Sequence, residues 1–303
     1  MNLAIDPRIK AIESGLVPLD WATRSIFVHG ASMDYWGDRT QDAAAVEGLK
    51  DVVSLYAAMI HEAAESIVSF ISLGAAGGAV DCELIRAIGR PDLQYIPVDI
   101  SRSMCELAIR NGLECCKVPM GIVGDFEGGM TFIRSSLAPA NHGRKLISCT
   151  GNAIGNLDLG ESNFFSNIAG MLNREDRLLL SVATGTFGGE MNRARFDAEV
   201  GWLDLSKLLA SGIMMITGED RAAVEASLDR RLAVRAGTSD IPLADTLTLW
   251  DRDSKRSLLH LRRYDFSAFK DWAVRGCSGQ LIDSAELHFS GTNAGLGVMT
   301  LRR

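Results

Sequence analysis

Ile67-Val68-Ser69-Phe70-Ile71-Ser72-Leu73 runs directly into Gly74-Ala75-Ala76-Gly77-Gly78. Seven short, β-branched or apolar residues without alternation read as a strand buried on both faces, the pattern of a parallel sheet. The glycine-rich bend ends it, and Ala79 to Ile88 has the texture of a helix. Strand, tight turn and helix together form the first half of a crossover unit.

The same rhythm continues downstream. Strands are predicted over 94–100, 117–124, 145–150 and 176–183, with helices from Ser101 to about Asn111 and from about Gly160 to Leu172. Ser101 suits the N-cap of its helix, because a hydroxyl there can accept a free backbone N–H. Five strands alternating with helices predict an α/β, Rossmann-like, mostly parallel sheet with right-handed crossovers. Upstream, residues 1–66 read as a helical N-terminal segment on the substrate side, with a helix over 42–66 and no strong strand pattern. Downstream, 67–185 form the core and 186–245 a helical cap insertion. Residues 246–303 supply strands (246–250, 257–262, 281–289, 297–301) that complete the core sheet with an antiparallel C-terminal edge.

The 303 residues carry 31 basic and 38 acidic side chains, a net charge of −7. No Lys/Arg block provides the footprint that a nucleic-acid partner requires. The N-terminus has no basic-then-apolar leader, and no apolar run reaches the ~20 residues of a membrane span, so a cytoplasmic protein without membrane or nucleic-acid partners is expected. A homodimer is compatible with the sequence. Six cysteines lack a C-x-x-C spacing, and five histidines lack ligand spacing. Buried reduced thiols and no metal site are therefore expected.

Ligands of such sheets sit beyond the carboxyl ends of the strands, so the residues after each strand carry the chemistry. Gly74, Ala75, Ala76 and Gly77 let the backbone approach a bulky ligand and lead to a helix N-terminus. Asp99, with Ile100 and Ser101 behind it, can accept both hydroxyl hydrogens of a ribose. Asp125 and Phe126 could bond and cover an adenine. Thr150 and Gly151, on the cofactor side, begin a loop whose Asn152 and Asn156 could hold an acceptor molecule. Tyr35, Trp36 and Glu190 are further substrate-side candidates. Taken together these favour S-adenosylmethionine (SAM) over a nicotinamide dinucleotide, which needs no acid–aromatic pair after the third strand. An NAD(P)-dependent oxidoreductase and a non-catalytic SAM-binding regulator remain the alternatives.

The runs Ser72-Leu73-Gly74, Pro97-Val98-Asp99-Ile100-Ser101, Gly124-Asp125-Phe126 and Ile154-Gly155-Asn156 resemble the histidine-specific methyltransferase family over residues 66–183. The resemblance implies a class I methyltransferase fold. Gly74 would lie at the methionine end of SAM, Asp99 on the ribose, Asp125 and Phe126 at the adenine, and Asn156 toward an amino-acid substrate. Where the family carries an acidic residue and a serine for the imidazole, this chain has Leu259, His260, Leu261 and Arg262. The resemblance therefore implies N-methylation of an amino acid or amine, with positioning rather than a dedicated catalytic residue driving the transfer.

Overall fold

The computed structural model describes residues 2–13, 23–28, 43–138, 143–188, 202–289 and 292–303. Strand β2 (Ile67–Leu73) lies at the centre of an eight-stranded sheet, and all of its residues are buried except Val68. Around it stand β3 (Gln94–Asp99), β4 (Gly121–Val123), β5 (Arg144–Cys149) and β6 (Arg177–Gly185). The order is β1-β4-β3-β2-β5-β6-β11-β10, where β1 is Leu3–Ile5, β10 is Gln280–His288 and β11 is Ala294–Arg302. The six strands from β1 to β6 pair in parallel, while β11 runs antiparallel to β6 and β10 antiparallel to β11. The parallel core and antiparallel edge are those that the apolar runs predict. The chain moves outward from β2 through β3 to one side and through β5 to the other, so the strand order reverses at the carboxyl end of β2. A crevice opens at such a reversal.

Helices α3 (Ala43–Ala64), α4 (Ala79–Ala87), α5 (Arg102–Leu113), α6 (Met130–Leu137), α7 (Glu161–Ala169) and α10 (Phe266–Cys277) cover the two faces; α1 (Pro7–Glu13) and α2 (Thr23–Val28) precede them. Ser101 caps α5 as its position suggests, accepting the Met104 N–H. One apolar layer joins Ile71, Ile96 and Ile147 to Phe164, Phe165 and Phe269. The opposite layer joins Phe70, Leu146 and Leu179 to Tyr56 and Ile60 of α3.

Three elements differ from the sequence expectation. Strand β1 lies in a segment read as helical and irregular; three residues are too few to show alternation. The strand predicted over 117–124 is interrupted. Lys117 pairs with Gln94, and pairing with β3 resumes only at Ile122; Pro119, between them, has no N–H to give to a ladder. The hairpin of β8 (Asp245–Asp251) and β9 (Arg256–Arg263) does not complete the core sheet. It pairs with β7 (Leu232–Ala236) in a separate three-stranded antiparallel sheet. The segment expected to be a purely helical cap thus contains a strand beside α8 (Trp202–Thr217) and α9 (Arg221–Arg231). Leu247 and Leu249 alternate with threonines and pack on Leu209, Ile213 and Val224, which is the signature of a sheet with one apolar face.

Between β5 and β6 lies a buried ion pair. Lys145 Nζ is 3.1 Å from Asp176 Oδ2, and the same carboxylate accepts the backbone N–H groups of Lys145 and Asn173. Replacing Lys145 by Met leaves the acid charged and partly unpaired. Urea denaturation of Lys145→Met is expected to show a loss of about 3 kcal/mol.

Candidate functional site

A cavity of about 1180 Å³ lies at the reversal point, walled by the ends of β2, β3, β4 and β5 and by α3 and α4. It is large enough for a nucleoside-sized ligand with a second small molecule beside it. Gly74, Ala75 and Ala76 form one wall. Gly74, Ala76, Gly77 and Gly78 all have positive φ, at 73°, 44°, 84° and 76°. At Gly78 the space is also closed, since a β-carbon would come within 3.0 Å of the Ala108 backbone and of the Tyr95 hydroxyl. Gly77 does not belong to the wall: it backs onto Leu107, and its carbonyl accepts Asn111 Nδ2.

Asp99, Ile100 and Ser101 enter from the end of β3. Asp99 is buried, yet its carboxylate is held by backbone donors: Ala76 N–H to Oδ2 at 3.0 Å and Ser101 N–H to Oδ1 at 2.8 Å. Burial pushes this carboxyl up to about 6, opposed by the N–H groups of Ala76, Ser101 and Ile100. Two carboxylate oxygens offer about four acceptor positions, so Asp99 keeps capacity for hydroxyl donors from the cavity. The contact with Ala76 joins the glycine bend to β3, the two parts of the site that the sequence places 23 residues apart.

Asp125, Phe126 and Glu127 follow β4. The Asp125 carboxylate is more committed than the sequence suggests. Oδ1 accepts the Glu127 N–H, and Oδ2 accepts the Gly128 N–H and Arg24 Nη1, leaving spare acceptor capacity only on Oδ1. Phe126 packs edge-to-face on Phe164, with its ring edge close to Gly74.

After β5, Thr150, Gly151 and Asn156 face the cavity but Asn152 does not. Asn152 has φ 61°, and its Oδ1 accepts the Ala183 N–H of β6. It shapes the loop rather than greeting a ligand, which corrects its assignment as a substrate contact. The loop has a second tether: Tyr56 donates to Ser181 Oγ at 2.8 Å, and Gly151 N–H reaches the same oxygen at 3.0 Å. Asn156 Oδ1 is buried with no hydrogen-bond partner among the described residues. Tyr35, Trp36 and Glu190 lie outside the described residues.

Two wall residues escaped the sequence reading. Arg24, alone in an unpatterned segment, reaches Asp125 at 2.9 Å and Asp158 at 3.1 Å from α2. Glu127 stands in the same short run as Asp125 and Phe126, so its position was visible though its burial was not. Arg262, expected near the substrate by its place in the chain, is spent on the carbonyls of Leu157 and Thr238. His260 bonds Thr248 and stands 3.7 Å from Asp158; burial lowers its pKa, with Asp158 pulling the other way.

A Rossmann-like sheet with a carboxylate at the end of its second core strand and an aromatic after its third defines a class I, adenosine-binding fold. The model of a family described as histidine-specific, SAM-dependent methyltransferases matches residues 50–199, which contain every strand end just described. The protein is a SAM-dependent methyltransferase, and its core is similar to that family over the matched residues. Among solved structures it is similar to the magnesium protoporphyrin IX methyltransferase of Synechocystis PCC 6803 bound to S-adenosylhomocysteine. That pair is 13% identical over 91% of this chain and 96% of that one, with a TM-score of 0.48. It is also similar to the 1,6-didemethyltoxoflavin-N1-methyltransferase of Burkholderia thailandensis, at 13% identity over 98% and 90%, TM-score 0.47. A SAM-dependent methyltransferase of Clostridium acetobutylicum ATCC 824 follows at 11% over 82% and 90%, TM-score 0.42. No curated protein matches.

The wall fits this cofactor: Asp99 has spare acceptor capacity, the bend at Gly74 carries no side chain, and Phe126 offers an aromatic surface. Ala76 is the one strained member of the bend. An alanine at φ 44° costs about 1–2 kcal/mol, part of which glycine would return as unfolded-state entropy. Ala76→Gly is expected to gain about 0.5–1 kcal/mol by thermal melting and to keep its affinity for S-adenosylhomocysteine.

Proposed function

We propose that the protein transfers the SAM methyl group to a nitrogen of an amino acid or an amino-acid-derived small molecule. The observation that carries this reading is Asn156. Its amide oxygen is buried without a partner in the wall of the cavity, and a buried acceptor needs a donor. An N–H of the acceptor molecule meets that need, and the family description points to an amino acid as acceptor.

In this reading Asp99 holds the ribose and the bend at Gly74, Ala75 and Ala76 receives the methionine end. Phe126 covers the adenine, and the remaining acceptor position of Asp125 meets its amino group. SAM supplies an electrophilic methyl on a positively charged sulfur. The chain's own contribution is to hold the acceptor nitrogen on the far side of that methyl, at about 3–3.5 Å and in line with the sulfur. The two tethers to β6 keep the loop of Asn156 in place for this. His260 and Arg262, turned to Asp158, Thr248 and backbone carbonyls, provide no carboxylate for an imidazole, so the acceptor need not be histidine.

Incubation with SAM and each of the twenty amino acids and related amines, read by mass spectrometry, is expected to show a one-methyl gain on at least one nitrogen. A gain on oxygen or carbon alone would refute the nitrogen assignment. Asp99→Ala is expected to weaken S-adenosylhomocysteine binding about 100-fold by calorimetry, the worth of two charge-assisted hydrogen bonds. In the wild type the same affinity should fall as pH drops through about 6, where the Asp99 carboxylate gains a proton and loses acceptor capacity.

A further inference from the structure

Glu127 is a buried carboxyl of which the fold uses only one oxygen for hydrogen bonds among the described residues. Its Oε2 accepts two backbone donors, Asp158 N–H at 2.8 Å and Leu159 N–H at 2.7 Å. Its own carbonyl is held by the side-chain amides of Asn163 and Asn167. The carboxyl is thus clamped on one side. The other oxygen, Oε1, accepts no hydrogen bond among the described residues, and Arg24 Nε stands 3.9 Å from it. Glu127 is 5% exposed and belongs to the wall of the same cavity as Asn156. The clamp also joins the loop after β4 to the segment following Asn156, so acid and orphan amide sit at one junction.

From this geometry we infer that Glu127 Oε1 takes the proton from the acceptor's ammonium group before methyl transfer. The inference rests on the nitrogen-acceptor reading above. An amine arrives at neutral pH mostly as ammonium, whose nitrogen has no lone pair to attack with. The N–H bond breaks and an O–H bond forms on Oε1. The freed pair forms the N–C bond as the C–S bond breaks, and the C–S electrons remain on sulfur as a neutral thioether. The methylated nitrogen leaves as ammonium and Glu127 returns its proton to water, so charge and atoms balance.

The surroundings suit a proton acceptor. Burial, first, and the Asp158 charge push Glu127 up to about 8; the Leu159 N–H and Arg24 pull it down, and Asp125 pushes it up again. The charged and titratable groups around it are Arg24 from α2, Asp125 from its own loop, Asp158 after β5 with His260 of β9 beyond it, and the buried Cys149 thiol of β5. A base that ionises close to the working pH is the most effective kind.

The test compares wild type with Glu127→Gln, using as acceptor whichever amino acid gains a methyl in the screen above. At pH 8 the variant is expected to lose about 100-fold in kcat/KM. Its S-adenosylhomocysteine affinity should stay within about threefold, because Glu127 does not serve the ribose. The decisive readout is pH. Between pH 8 and about pH 10 the variant should recover at least about tenfold relative to wild type, because the acceptor itself then arrives neutral. A deficit that stays constant across that range, or no deficit at pH 8, overturns the inference while the nitrogen reading stands. Should the variant not fold, wild type decides alone: kcat/KM levelling off above about pH 8 supports the base, and a continued rise to the acceptor's own ammonium pKa overturns it. If no amine is methylated by wild type, both the reading and the inference fall.

Discussion

The carboxylate of Asp99 must be ionised in a place nearly without water, and much of the structure follows from that demand. Burying a charge without partners is prohibitively costly, so the chain brings backbone N–H groups to it. One comes from Ser101, at the start of α5, and another from Ala76, across the crevice. The second requires the bend after β2 to fold back over β3, which in turn requires the run of positive φ angles at Gly74, Ala76, Gly77 and Gly78. The strain at Ala76 is therefore a consequence of the same contact: the residue is held in an unfavourable conformation because its N–H is needed where it is. The bend then closes because Gly78 leaves room for Ala108 and Tyr95.

A second charge problem organises the opposite wall. Asp125, Glu127 and Asp158 converge from two loops, and the guanidinium of Arg24 reaches all three from α2. Burial and the Asp158 charge push the Glu127 carboxyl up, while Arg24 pulls it down. This pairing also explains why the N-terminal segment packs where it does. Helix α2 lies against α8 and β9 with Ile26 inside the second core, so Arg24 ties that smaller layer to the cofactor crevice.

Much of the core was legible because its strands are buried on both faces and announce themselves as apolar runs bounded by glycine. Ile67–Leu73 and Arg177–Gly185 are of this kind, and Asp99 and Phe126 could be placed because they follow such runs. The hairpin of β8 and β9 was misassigned for a reason of the same type. Its alternation, Thr246-Leu247-Thr248-Leu249, tells that one face is apolar but not which apolar surface it meets, and the partner turned out to be α8 and α9. Asn152 and Asn156 are indistinguishable in the sequence, two amides in one glycine-rich loop. Only the backbone decides between them, since Asn152 at positive φ swings its amide to Ala183 and leaves Asn156 to face the cavity. Arg24 had no periodicity to mark it. Long-range ion pairs, 101 residues apart in the case of Arg24 and Asp125, have no local signal in a single sequence.

The two walls together bear on the chemistry through the movement of charge. At the start of the transfer the positive charge is on sulfur; with the proposed nitrogen acceptor it ends on that nitrogen, and in between it is spread over both. In water such spreading is opposed by the loss of solvation at the sulfonium. In a cavity lined by fixed dipoles and acids it depends on which end the wall favours. The Asp99 wall is already balanced by backbone donors and a ribose would complete it, so it has little preference for the sulfonium. The opposite wall presents Asn156 and Glu127. In the proposed nitrogen reading, the acceptor's developing charge lies beside Asn156 Oδ1, a buried acceptor dipole without a partner among the described residues, which favours the late stage of the transfer. Under that reading the asymmetry comes from an unpartnered amide oxygen on one side and a carboxylate already held by backbone donors on the other.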